Sequence, residues 1–494
     1  MTSLLTRPGT DVPPLHLTER DGWTRSTWIL LVVLCGALFL DGLDISMVGV
    51  ALPSIGAELD MAPSMLQWIV SGYVLGYGGL LLLGGRVSDL VGRRQVFLAA
   101  VAVFGVASVA SALVSDPSLL IALRFVKGVA AAFTVPSGLS IITTTFAEGP
   151  ARSRALSIYT VCGASGFSLG LVFGGILTEV GWRATMLLPG PLALLILAAG
   201  WTVVPRAAKE RFSLAHFDVV GAVTSTAALL LLVFAVVQAP EVGWTSAQTV
   251  GSLVVSLALA ATFFTVESRH DHPLFRLGIA RSAHILHANA IGALMFGSYA
   301  AFQFVVTLYL QDVLGWSPTA MALGFLPAGL LVVLSAFKID AVLERFGTVP
   351  LIGLGMAAFL GGYLLFLRAT AGMSYAAFLL PTIVLLGVGF ALCFPSINSQ
   401  ATSGVADHEQ GLASGLVNTS VQVGGAVTIA VVTAILGSAT GPADTLPGMD
   451  AAVALVSGLA AVGLAGTVAL LATSAVRRRR VAAAPVVADS VCCA

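Results

Sequence analysis

Charge is scarce in this sequence: Asp, Glu, Lys and Arg together make up 10% of its 494 residues, against about 25% in an ordinary soluble domain. A soluble fold of this length cannot carry 57% hydrophobic residues, because its water-facing shell would itself have to be apolar. Neither sign prevails, since 24 bases balance 24 acids, so nothing points to nucleic acid as a partner. Cysteine is sparse as well. Cys35, Cys162, Cys393, Cys492 and Cys493 show no metal-ligand spacing, and the first three sit in apolar runs as small hydrophobes. The pair at the end forms no prenylation box. No metal and no cofactor is expected. Also missing are a phosphate-binding loop, a His-Glu-x-x-His pattern and a Gly-x-Ser-x-Gly elbow. The longest stretch outside the apolar runs is the first 25 residues, which lack the order of a signal peptide. That leaves no room for a soluble catalytic domain, so neither an enzyme nor an ATP-driven pump is expected.

What is present is a series of long apolar runs. A bilayer core takes about 20 apolar residues as helix, and runs of that kind start near residues 26, 66, 96, 119, 156, 184, 218, 250, 288, 319, 351, 375, 412 and 451. Fourteen spans are therefore expected. With the N-terminus inside, 20 of the 24 Lys and Arg residues fall on the cytoplasmic side, only Arg183 and Arg368 fall outside, and Arg124 and Lys127 lie within a span. That asymmetry is the positive-inside bias of a correct topology, and dropping one middle span would invert every later loop. Both ends are expected in the cytoplasm, in a multi-pass protein of the cell membrane.

A short pattern recurs. Gly85-Arg86-Val87-Ser88-Asp89-Leu90-Val91-Gly92-Arg93-Arg94 follows the second span, and Glu344-Arg345-Phe346-Gly347 follows the tenth. Each lies after the second helix of a six-helix set once spans seven and eight are set aside. The chain thus divides into a tail (1–25), a six-helix bundle (26–204), a linker with two inserted spans (205–285), a second six-helix bundle (286–475) and a tail (476–494). Repeated halves are a feature of secondary transporters, whose sites lie between the repeats. A channel or a receptor would not require them.

These residues resemble the major facilitator superfamily, in its fourteen-span drug:proton antiporter branch. Gly85 to Arg94 is similar to the family's loop between spans two and three, with Val87 for the usual leucine and Leu90 for the first arginine. Leu43-Asp44 through Pro53 resembles the first-span motif of that branch, with Ser46 for threonine and Gly49 for asparagine. Arg124-Phe125-Val126-Lys127-Gly128 resembles the fourth-span arginine motif, with Lys127 in place of glutamine. Gly166, Gly170, Gly174 and Gly175 lie in a stretch similar to the fifth-span antiporter motif, where Leu171 replaces proline. The resemblance implies an all-α major facilitator fold of two six-helix halves plus two inserted helices. It also implies proton-coupled export of a hydrophobic or amphipathic drug or natural product by alternating access. Uptake of a small metabolite is the other direction, which the lost proline at 171 allows. Small-molecule substrate, protons and lipid are the expected partners, and a monomer suffices because two halves already enclose a cavity. The abundance of alanine and glycine suggests a bacterial source.

Physical reasoning picks out the same residues. Asp41 and Asp44 stand three apart on the first span and share a face, and an ionisable group at membrane depth costs about 2.5–3.5 kcal/mol on insertion scales. Arg124 and Lys127 stand three apart on the fourth span. Two acids facing two bases form either a static cluster that holds helices together or a proton site in a central cavity, with Asp44, and Asp41 beside it, as carrier and Arg124 as switching partner. Asp89, Arg93 and Arg94, between Gly85 and Gly92, suit a cytoplasmic latch, because arginines satisfy helix C-termini and acids helix N-termini. The fifth-span glycines serve helix packing, switching or both. Gln303, Gln311, Asn398, Asn418 and Gln422 are candidate substrate contacts, with interhelical hydrogen bonding as the plainer reading. His287 and Asn289 read as interfacial. Trp68, Tyr73, Trp182 and Trp316 fall near predicted span ends, where an aromatic belt is the ordinary account. Spans seven and eight read as scaffold, and the basic run Arg477–Arg480 as a lipid-facing anchor. No ring of charge and no sugar-stacking aromatics single out a substrate.

Overall fold

The computed structural model describes residues 23–146, 150–206, 219–268, 282–335, 338–368, 374–403, 405, 410–439 and 446–482, without the side chains of a few of these, Asp89 and Arg477–Arg480 among them. Most of both tails, with Cys492 and Cys493, and Asp218 at the start of span seven lie outside the described residues.

The first half comprises α1 (Arg25–Leu59), α2 (Pro63–Val91), α3 (Arg93–Leu113), α4 (Pro117–Thr145), α5 (Pro150–Val180), α6 (Trp182–Leu187) and α7 (Pro189–Val203). The inserted pair is α8 (Val219–Val242) and α9 (Ala247–Glu267). The second half runs through α10 (Ala283–Leu308), α11 (Pro318–Ser335), α12 (Ile339–Phe346), α13 (Thr348–Phe366), α14 (Leu379–Thr402), α15 (Gln410–Ser438) and α16 (Met449–Ala482). Among the described residues, thirteen segments are long and apolar enough to span a membrane, with α6 and α7 together making one of them. The fourteenth is α2, whose apolar stretch Met65–Leu81 is the central part of a 29-residue helix. Short helix α12 lies outside this count.

Local chemistry sets the ends of these helices. Thr24, Asp116 and Ser246 accept the first-turn N–H groups of Thr27, Leu119 and Thr249, and proline opens α2, α4, α5, α7 and α11, where its missing N–H costs nothing. The repeated loops share a backbone device. Gly92, at φ 115°, joins α2 to α3, and Gly347, at φ 78°, joins α12 to α13. A side chain there would be strained, so both copies keep glycine.

We call the face where α1 begins the N-terminal face. Toward the opposite face the two halves share one core: Val48, Leu52 and Ile55 of α1 pack in the same cluster as Phe302, Val305 and Leu308 of α10. Residues 301–310 are buried without exception. Toward the N-terminal face, Leu30, Leu31, Val33 and Leu34 of α1 belong to a second cluster with Phe97 and Phe104 of α3. In this conformation the seam is therefore sealed at the opposite face.

The inserted pair differs from a passive scaffold in one respect. Helix α8 packs against α2 of the first half and α15 of the second, with Val233 and Val237 in one cluster with Ala426 and Ala430 of α15. The buried amide of Gln67 donates to the Val237 carbonyl at 3.1 Å, one turn before Pro240, which brings no N–H to the ladder.

Candidate functional site

The four ionisable residues expected within spans meet in one place. Asp44 is fully buried, and its two carboxylate oxygens accept from the Arg124 guanidinium and the Lys127 ammonium. Arg124 also donates through Nε to the Ile69 carbonyl at 3.0 Å and lies over the Tyr73 ring at 4.6 Å. Lys127 lies over the Phe104 ring at 5.0 Å. The Tyr73 hydroxyl donates to Asp41, which lines a small cavity with Ala37, Val101, Phe104, Thr134 and Ala193. The cluster is thus held by α1, α2, α3 and α4, inside the first half. It stands behind the seam between the halves and does not line it.

Tyr73 was the residue least expected here. It is wholly buried in α2 and serves as a partner for Asp41, not as part of an aromatic belt. Trp182 is likewise buried, its indole N–H donating to Glu58 at 2.8 Å, beside an Arg183–Glu58 ion pair. Trp68 packs on Phe234 of α8, and Trp316 on Tyr375. A four-residue separation between Tyr73 and Tyr77, on a helix facing two acids, was the sequence signal available.

Close helix approach makes the cluster compact. A Cβ on Gly128, next to Lys127, would strike the Tyr73 carbonyl, so α4 lies directly against α2. On α5, Gly166, Gly170 and Gly174 abut Phe39, Leu43 and Met47 of α1, within the same half. Only Gly175 of that set faces the other half: its Cβ would lie 2.7 Å from the Pro318 carbonyl of α11.

At the N-terminal face, the Arg94 guanidinium donates to the Trp201 and Val204 carbonyls and lies over the Trp201 ring at 5.9 Å. It satisfies the C-terminus of α7, where a cation is favoured. Gly85 sits beside Pro136 of α4. Arg93 is present at the start of α3, while the Asp89 side chain lies outside the described residues.

The five amide candidates separate. Gln311, on a π-helical turn at Tyr309–Val313, donates to the Val50 carbonyl of α1 at 3.0 Å and thus ties the halves together at the opposite face. Pro53 brings no N–H to that stretch of α1. Asn398 and Asn418 donate to carbonyls one turn back on their own helices. Gln422 lies against Gly78 of α2, its Oε1 buried and, among the described residues, without a partner. Gln303 reaches toward Gly49 of α1. His287 is engaged on both ring nitrogens, by Gln400 and Thr467 at 3.1 Å each, and Asn289 accepts from Ser420; both are structural.

One group escaped the sequence reading. Phe167 of α5, Tyr299 of α10 and Phe390 and Phe394 of α14 form a contiguous aromatic cluster across the seam, with Phe167 and Phe390 stacked at 6.3 Å and 14°. The four-residue spacing of Phe390 and Phe394 was the only local hint.

A family model described as Major Facilitator Superfamily matches residues 34–429. The chain belongs to that superfamily. It is 36% identical to the cephamycin export protein CmcT of Amycolatopsis lactamdurans, over 87% of this chain and 89% of that protein. It is 34% identical to the puromycin resistance protein pur8 of Streptomyces alboniger, over 88% of this chain and 86% of that one. The tetracenomycin C resistance and export protein of Streptomyces glaucescens is 32% identical, over 87% and 79% respectively. Among solved structures, the POT family transporter PepTSo superposes with a TM-score of 0.68 at 16% identity, covering 92% of this chain and 98% of that one. The last likeness concerns fold alone. As a superfamily member with two repeated halves, the chain is a multi-pass secondary transporter.

Proposed function

We propose that this transporter exports a hydrophobic or amphipathic drug or natural product from the cytoplasm in exchange for protons, with its N-terminal face cytoplasmic. Export follows the relatives, which are named for export and resistance. The observation that carries proton coupling is the buried cluster on α1, α2 and α4.

Its two acids are not equivalent. Asp44 faces two cations and is the anion that balances them. Asp41 is partnered by the Tyr73 hydroxyl, so it is the acid free to gain and lose a proton. This shifts the carrier role from Asp44 to Asp41 and leaves Asp44, Arg124 and Lys127 as the fixed frame around it. Tyr73 connects the two parts, since its hydroxyl holds Asp41 while its ring supports Arg124. A change in the protonation of Asp41 alters the hydrogen bond to α2, the helix that leads into the Gly85–Arg94 latch. Release of Arg94 from the end of α7 would then unlock the N-terminal face. One copy of the chain suffices for this cycle.

The test is transport in liposomes under an imposed pH gradient, with cephamycin, puromycin, lincomycin and tetracenomycin C as the panel. Asp41→Asn is expected to abolish gradient-driven accumulation while preserving exchange of substrate between equal pools. Full gradient-driven transport by Asp41→Asn would remove this residue from the coupling mechanism.

A further inference from the structure

The aromatic cluster lies where the halves must part, and its composition bears on what enters. We infer that Phe167, Tyr299, Phe390 and Phe394, capped by Gln303, form a slot for an uncharged planar aromatic ring carrying a hydrogen-bond acceptor. This inference rests on the export reading and names the substrate class.

Three observations converge. First, Phe167 comes from the first half and Phe390 from the second, and their rings are nearly parallel, at 6.3 Å between centroids. A flat ring held between two others needs two contacts of about 3.5–4 Å each, roughly 7–8 Å in all. The pair as found is closed on itself, and a flat ring enters between the two only once the halves part. Tyr299 and Phe394 flank it, at 5.4 and 5.3 Å from the Phe390 centroid.

Second, Gln303 stands one helical turn beyond Tyr299 on the same face of α10 and is more than nine-tenths buried. Among the described residues its side-chain amide has no hydrogen-bond partner. The amide is not one of the sealed-off polar atoms that lack a partner, so a carbonyl or ether oxygen on a bound ring would take the place of solvent beside it.

Third, the surroundings disfavour a cation. Helices α10, α11, α13, α14 and α15 contain no Asp, Glu, Lys or Arg. The buried acids of the first half, Asp41 and Asp44, are matched by two buried bases, Arg124 and Lys127, so the cluster is neutral with Asp41 ionised and positive with it protonated. Lysine at 127 is what removes the negative balance. Aromatic faces attract cations, but that attraction alone does not offset moving a charge to membrane depth with no free acid to receive it.

The test is equilibrium binding to the protein in lipid nanodiscs, with empty nanodiscs to subtract partitioning. Three tricyclic probes of similar outline are compared: acridone, uncharged with a carbonyl; anthracene, uncharged without an acceptor; and acridine orange, a cation at neutral pH. Acridone is expected to bind at least about ten-fold more tightly than acridine orange to the unaltered protein. Gln303→Leu should weaken acridone about 2- to 10-fold, the worth of one hydrogen bond, and leave anthracene within about two-fold. Phe390→Ala should weaken both. Equal or tighter binding of acridine orange, acridone binding no greater than to empty nanodiscs, or indifference of acridone to both substitutions overturns the assignment. Because binding is read without a gradient, these outcomes are independent of whether the liposome assay supports proton-coupled export.

Discussion

Removing the charge of Asp44 isolates the energetic role of the buried cluster. Asp44→Asn keeps the shape of the side chain but leaves Arg124 and Lys127, each no more than 1% exposed, without a counter-charge. Breaking a buried pair by deleting one partner costs about 3–5 kcal/mol, which corresponds to a loss of roughly two to three and a half decades in the folded-to-unfolded ratio. The neighbouring rings and the Ile69 carbonyl soften this cost without replacing an anion. Adding Lys127→Gln removes one of the two stranded cations. The double variant should therefore recover part of the loss, with a coupling of about 0.5–3 kcal/mol. Lys127→Gln alone leaves the Asp44–Arg124 pair intact and should be milder than Asp44→Asn. The assay is retention of monodisperse protein after heating in detergent, for the parent, both single variants and the double. An Asp44→Asn protein as heat-resistant as the parent, or a double variant no better than it, would refute the claim that charge balance holds α1 to α4.

Other substitutions probe separate contacts. Gly128→Ala puts a methyl group against the Tyr73 carbonyl and should cost about 1–3 kcal/mol as overpacking, seen as lower thermal retention, whereas alanine at Gly458, which has open space, should change little. Gln67→Leu removes the bond to the Val237 carbonyl, worth about 0.5–1.5 kcal/mol, and should raise hydrogen exchange in α8 near residues 237–242 more than in α9. Arg94→Ala should free the end of α7 and increase labelling of a cysteine placed at Val204, while Arg94→Lys restores the charge but not the two-carbonyl geometry and should fall between.

Much of the architecture could be read before any coordinates. Bilayer thickness imposes a length on every apolar run, so the fourteen spans, the six-two-six division and the paired loops with Gly92 and Gly347 are written locally in the chain. An arginine just after a helix break belongs near another helix end, and Arg94 is found at the end of α7. Spacing also put Asp41 with Asp44 and Arg124 with Lys127 on shared faces. What spacing leaves open is the rotation of each helix about its own axis and the identity of its neighbour. Those are decided by contacts between residues far apart in sequence. They made Tyr73 the partner of Asp41, gave both cations to Asp44, and set the cluster behind the seam. They turned three of the four α5 glycines toward α1 and one toward α11, and laid α8 across both halves. The aromatic slot is the clearest case, because Phe167 and Phe390 come from opposite halves and no local period relates them. A membrane fixes how long a helix must be and which way the chain runs, whereas only the packed bundle settles which side chains meet.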